Sequence, residues 1–258
     1  MRRSVIILFV ILSILPCRLY AFDAQSPSEA GIEEKLGQYI PLNEPFIDER
    51  GNTITLKEII NKPAIIAPVY YKCSSICPTL LSNLADVLGR MKLLPGKDYV
   101  AVSLSFDETD TPELAASKKR NYIKATGKPF PAEAWMFLTG NADSIKKTMD
   151  GMGYRYKRSK SDFAHPVTLI ITSPEGKIVR YINGSGFLPF ELALAVSEAS
   201  DGRTGGTINR VLQYCFTYDA AKKRYVFNLL KVFGTVSIVF IIAFIFYLTR
   251  SGRKRGDK

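Results

Sequence analysis

Apolar positions in the middle of the chain alternate between strand-like runs and helical spacing. Two short apolar runs flank a Gly51-Asn52 turn across residues 46–56, which predicts a β-hairpin. Residues 64–71 form a short, nearly continuous apolar run with Val69 and two tyrosines, the composition of a buried strand. From Pro78 onward, Leu80, Leu81, Leu84, Val87 and Leu88 recur at helical spacing. Further strands are predicted over residues 100–106, 135–138, 167–171 and 178–182, the last two around a Pro174-Glu175-Gly176 turn. Helices are predicted over residues 141–149, 189–199 and 111–125; the last has Thr111 as N-cap and Pro112 in its first turn. The order β, α, β, α, β, α, β, β, α predicts an α/β fold, a central β-sheet flanked by helices.

The two ends follow different patterns. Residues 5–15 are an apolar run behind Arg2 and Arg3, closed by Pro16, with Ala21 at a cleavage point. That is the form of an export signal, too short to span a bilayer. Residues 232–248 are uncharged and nearly all apolar, and residues 226–231 extend them to spanning length. Lys231 is placed to snorkel, and Tyr225 and Tyr247 lie at interface depth. Arg250, Arg253, Lys254, Arg255 and Lys258 are expected to hold the tail in the cytoplasm. The expected organisation is a signal peptide (1–21), a flexible lead-in (22–37), one domain (38–200), a linker (201–225) that opens Gly-rich over 201–207, a single C-terminal transmembrane helix (226–249) and a basic cytoplasmic tail (250–258). The domain is therefore expected at the cell membrane, on the extracytoplasmic (periplasmic) side.

Composition adds little to this picture. Hydrophobic residues make up 47% and charged residues 23%, which is ordinary for a globular chain. The net charge of +11 resides partly in the terminal clusters, so no nucleic-acid partner is expected. Lys118-Lys119-Arg120 reads as a solvated helix face, and Met91, Met136, Met149 and Met152 as core.

The cysteines are more informative. Of four, Cys17 leaves with the signal, and Cys215 stands close to the predicted span. A free thiol, an intermolecular disulfide and an auxiliary metal ligand are all open roles for Cys215. Cys73 and Cys77 are a close pair in an exported chain, where disulfides are favoured. A loop that short constrains the unfolded chain little, so the pair is a poor staple and suits redox chemistry or metal binding.

Residues 70–78, Tyr-Tyr-Lys-Cys-Ser-Ser-Ile-Cys-Pro, join the buried strand to the helix. The Cys77 sulfur is expected at the helix N-terminus, where free N–H groups and the dipole favour thiolate, with Lys72 adding positive charge. His165, the only histidine, stands just before the strand at 167–171, an approach that can bring it beside the sulfurs. Two thiolates and one imidazole make a trigonal soft site: sulfur selects Cu(I), and imidazole also suits Cu(II). Structural zinc would want four protein ligands.

At these residues the chain resembles the Sco/SenC family of copper-binding, thioredoxin-like proteins that assist cytochrome c oxidase assembly. The resemblance rests on Cys73-Ser-Ser-Ile-Cys77-Pro78, on the acidic segment Asp107-Glu-Thr-Asp110-Thr111-Pro112, and on His165 ahead of its strand and the Ser173-Pro174-Glu175-Gly176 turn. Glu108 and Pro166 depart from the family pattern; Pro166 either rigidifies the histidine loop or takes a cis-proline role. The resemblance implies a thioredoxin-like fold in a C-terminally anchored branch, with copper, Cu(I) or Cu(II), on Cys73, Cys77 and His165. It also implies Asp107 and Asp110 as groups tuning the site from behind. The expected partners are the copper-receiving subunit of a respiratory oxidase, a thiol reductant or copper donor, and the membrane. The competing expectation is a thiol–disulfide oxidoreductase or redox sensor using Cys73 and Cys77 alone. A peroxidase would want a threonine where Tyr70 stands.

Overall fold

A computed structural model describes residues 30–159, 162–204, 216–219 and 224–227, with isolated positions at 234, 237 and 240. The chain begins with β1 (Gly31–Ile32), β2 (Pro45–Ile47), β3 (Thr53–Thr55), α1 (Leu56–Ile59), β4 (Ala64–Val69) and α2 (Ile76–Arg90). There follow β5 (Val100–Ser105), α3 (Pro112–Ala125), β6 (Trp135–Leu138), α4 (Ala142–Gly151), β7 (Tyr154–Arg155), β8 (Lys157–Ser159) and β9 (Asp162–Ala164). The last elements are β10 (Thr168–Thr172), β11 (Ile178–Asn183), α5 (Pro189–Ser200), β12 (Phe216–Asp219) and β13 (Arg224–Phe227).

Five strands form the central sheet in the order β11-β10-β4-β5-β6, with β4, β5 and β6 parallel and β10 antiparallel to both neighbours. Every residue of β4 and β5 is buried, as parallel strands covered on both faces require. Pro68, which has no N–H to donate, lies past the end of the β10 pairing and breaks no ladder bond there. Helix α3 packs on β6 and α2, while α5 packs on β10, β11 and α2.

Local chemistry explains the element boundaries. Thr111 accepts the Leu114 N–H at 3.3 Å and starts α3 with Pro112 behind it; Asn141 accepts the Ser144 N–H at 2.9 Å and starts α4. Where α2 meets the end of α3, Gly89 is required: a Cβ there would stand 2.1 Å from the Thr126 carbonyl oxygen.

Several expectations change. Lys119 is not solvated. It lies on the α3 face that carries buried Ala115 and Tyr122, and its ammonium meets the buried Glu49 carboxylate at 2.5 Å. Glu49 also accepts the Phe137 N–H, so this pair ties the β2–β3 turn to α3 and β6. The part of the lead-in within the described residues is docked rather than loose: β1 pairs with β7, and Gly37 donates to the Ile178 carbonyl. Two strands replace part of the expected linker and the first two residues of the expected transmembrane helix: β12 and β13 form an antiparallel ribbon, with Val226 and Phe227 in β13. The predicted signal and most of the predicted membrane span, with Cys17 and Cys215, lie outside the described residues. Among the described residues, no helix is long and apolar enough to cross a membrane.

Candidate metal centre

Sheet topology brings the histidine to the cysteines. The β10–β4 register pairs Ile170 with Ile66, Ile171 with Ile65 and Thr172 with Ala64. Continued outward, the same register sets His165 level with Tyr71, beside the loop that carries Cys73. The ligand atoms of Cys73, Cys77 and His165 all lie within 4.8 Å of one another, and Cys77 Sγ is 3.8 Å from His165 Nε2. Both cysteines are buried and unpaired, and His165 is half-buried.

Helix α2 begins without a conventional cap: Ser75 makes no side-chain cap bond. Instead Cys73 Sγ accepts the Cys77 N–H at 3.4 Å, one of the free donors of the first turn. The two thiols consequently diverge. At Cys73, burial opposes ionisation, yet the Ser75 and Cys77 N–H groups outweigh it and lower the pKa. At Cys77, burial dominates and pushes the thiol well above its ordinary value. This corrects the expected assignment. Cys77 is in the first turn as predicted, but it is so enclosed that loss of water outweighs the dipole, and Cys73 is the thiol whose ionisation the site favours. Nor does Lys72 serve the sulfurs; its ammonium is 2.6 Å from both the carbonyl and the hydroxyl oxygen of Thr109.

The His165 ring is oriented from behind. Its Nδ1 lies 2.9 Å from the Pro166 carbonyl and 3.1 Å from the Tyr154 hydroxyl, which itself donates to that carbonyl at 2.8 Å. A carbonyl only accepts, so Nδ1 carries the proton and the Nε2 lone pair faces the sulfurs. Tyr70 meets the ring edge-on at 5.8 Å and Phe106 packs at 5.2 Å. Pro166 is in a trans peptide, as are all described bonds, so it fixes the histidine through its carbonyl and not as a cis-proline.

Asp107 and Asp110 stand behind this group and outside it. Asp110 is buried and accepts the Tyr71 N–H and the Ser105 hydroxyl, each at 2.6 Å, which anchors the start of the cysteine loop. Burial foremost raises its pKa, and the nearby Asp107 charge adds to the rise. Asp107 accepts from the Thr109 N–H and hydroxyl and from Arg158 at 3.0 Å; these donors outweigh burial and lower its pKa. Sequence reasoning missed Tyr154, Tyr70 and Arg158 as parts of the site. No motif marks them, because their roles exist only once distant segments meet.

The SCO1/SenC family model matches residues 41–197. The chain belongs to the SCO1/SenC family. Protein SCO1 homolog 1, mitochondrial, of Arabidopsis thaliana is 25% identical over 178 residues, covering 66% of this chain and 47% of the relative. The chain thus spans about half the length of that curated relative. A crystal structure of a candidate electron transfer protein from Aquifex aeolicus VF5 matches with a TM-score of 0.59 at 28% identity, covering 67% of this chain and 98% of the other. Arabidopsis thaliana ScoI, solved with copper bound, matches with a TM-score of 0.50 at 23% identity, covering 61% and 96%. The mixed α/β arrangement is accordingly the thioredoxin-like Sco fold, a central sheet with helices packed against it.

Proposed function

We propose that this SCO1/SenC member is a membrane-tethered metallochaperone that carries one copper as cargo on Cys73, Cys77 and His165. The observation that carries the reading is the convergence of two sulfurs and one imidazole nitrogen within 4.8 Å. The donor set is soft enough for Cu(I), and Nε2 presents the lone pair that Cu(II) prefers. With three ligands among the described residues, the set falls short of the four a structural zinc wants. It extends to this chain the copper held by the Arabidopsis relative. The proposed recipient is the dinuclear copper centre of a respiratory oxidase subunit. An open, three-ligand site half-exposed at His165 suits transfer by ligand exchange.

The divergent thiols support a second reading, thiol–disulfide exchange on exported cysteines. The Cys73 thiolate would attack a partner disulfide, forming a mixed disulfide and releasing one partner thiolate. Cys77, on losing its proton, would then displace the second, leaving a Cys73–Cys77 disulfide and a reduced partner. That exchange needs no histidine.

The distinguishing experiment titrates the reduced, detergent-solubilised chain with Cu(I) and Cu(II) under anaerobic conditions. The metallochaperone reading expects one tightly held copper per chain, lost in Cys73→Ala or Cys77→Ala. Cu(II) binding should be weakened in His165→Ala, with Cu(I) retained. Negligible copper uptake by the folded, reduced chain, together with rapid disulfide exchange, would assign the protein to the oxidoreductases.

A further inference from the structure

His165 is not part of the central sheet. It follows directly on β9, and β8 and β9 pair only with each other, as a ribbon separate from the five-stranded sheet. The position of the imidazole therefore depends on this ribbon on one side as well as on β10 on the other. Across the ribbon Arg158 pairs with Phe163, and its guanidinium lies 4.4 Å from the centre of the Phe163 ring. The same guanidinium reaches Asp107 at 3.0 Å and Glu108 at 3.3 Å, on the segment that follows β5. Phe163 is buried among Tyr70 at 5.0 Å, Phe106 at 5.3 Å and Tyr156 at 5.8 Å. The Tyr70 hydroxyl closes the arrangement by donating to Asp162.

We infer that Arg158 is a positioning residue for copper: it latches the β8–β9 ribbon to the acidic segment and so sets where His165 presents Nε2. The inference rests on the proposed copper reading and deepens it. One planar cation serves both partners, stacking on Phe163 while its N–H groups meet Asp107 and Glu108. A lysine matches the charge, but its compact ammonium is a point and does not both cover the ring and reach the two carboxylates. Loosening the latch leaves the main supports of the two sulfurs in place: β4, α2 and the Asp110 bond to the Tyr71 N–H. Cu(I), which two thiolates satisfy, should notice little. Cu(II), which depends on the imidazole, should be lost preferentially. The acidic segment thus reaches the metal site along two routes, Asp110 to the cysteine loop and Asp107 to the histidine.

The test compares the detergent-solubilised full chain with Arg158→Gln and Arg158→Lys. Cu(I) and Cu(II) affinities are measured on each, and the His165 ring nitrogens are followed by NMR in the metal-free, reduced protein. Arg158→Gln should weaken Cu(II) by about tenfold or more, the usual effect of losing a group behind a ligand. Cu(I) affinity should stay within about threefold, because sulfur alone holds that ion. Arg158→Lys should recover only part of the Cu(II) loss. In the metal-free wild type, a single Nδ1–H form is expected, giving way in Arg158→Gln to exchange between ring states. Equal losses of both ions, or unchanged ring signals in Arg158→Gln, would overturn the inference. A wild type that takes up neither ion would instead defeat the copper reading, and the metal-free ring signals would still report on the latch.

Discussion

Cys73 and Cys77 are chemically identical side chains a few positions apart, and their surroundings separate them. Cys73 sits where N–H donors of its own loop point at sulfur, while Cys77 is walled in by the core. Ultraviolet absorbance of the thiolate, followed against pH in the reduced, metal-free protein, should show two steps. The thiol left in Cys77→Ser should ionise below the usual cysteine range, and the one left in Cys73→Ser above it. The reverse order would mean that the helix dipole outweighs burial after all. The linkage to stability has opposite signs. Folding lowers the Cys73 pKa, so its contribution is present above the unfolded value and is lost as pH falls through the folded one. Folding raises the Cys77 pKa, so its contribution is present below the unfolded value and is lost as pH climbs toward the folded one. Alkaline destabilisation of the wild type should accordingly be reduced in Cys77→Ser, measured by denaturant unfolding across that window.

At the scale of elements, α2 has two functions at its two ends. Its first turn uses the Cys73 sulfur as a cap, and its last turn packs so closely on the end of α3 that only Gly89 fits. Gly89→Ala has a helix-propensity gain that the clash with a backbone oxygen overrides, since a carbonyl cannot rotate away as a side chain does. The substitution is expected to destabilise the domain by about 1–3 kcal/mol in thermal or urea unfolding. Copper stoichiometry should be unchanged, because the metal centre lies at the opposite end of the helix. A stabilised Gly89→Ala would show that α3 yields freely. The buried Lys119–Glu49 pair belongs to the same scale, linking a hairpin turn, a helix and the sheet edge β6.

For the whole molecule, the proposed tether decides where the site works. The apolar segment at 226–249 and the basic tail beyond it are read from sequence alone, by length and by charge asymmetry. The full chain should stay with membranes through salt and alkaline washes and be released by detergent, whereas a chain ending at residue 210 should be soluble. Protease added from outside to cells stripped of their outer envelope should digest the domain and leave the C-terminal tail protected. Recovery of the full chain in the soluble fraction would remove the tether from the proposal.

The sequence determined the order of the main strands and helices, because hydrophobic period, the Thr111 cap and the Gly51-Asn52 turn are all local signals. It also singled out Cys73, Cys77 and His165, since a close thiol pair ahead of a helix and a sole histidine ahead of a strand stand out in any context. The ribbon of β8 and β9 and the short β1–β7 pairing escaped it, because two- and three-residue strands carry too little periodicity to read. The solvated reading of Lys119 failed because its partner Glu49 is distant in the chain. Which cysteine ionises more readily, which face of His165 meets the sulfurs, and how Arg158 and Tyr154 hold that face were left to the tertiary structure. Those properties depend on burial and on hydrogen bonds between residues far apart in sequence, and such contacts exist only after the chain has folded.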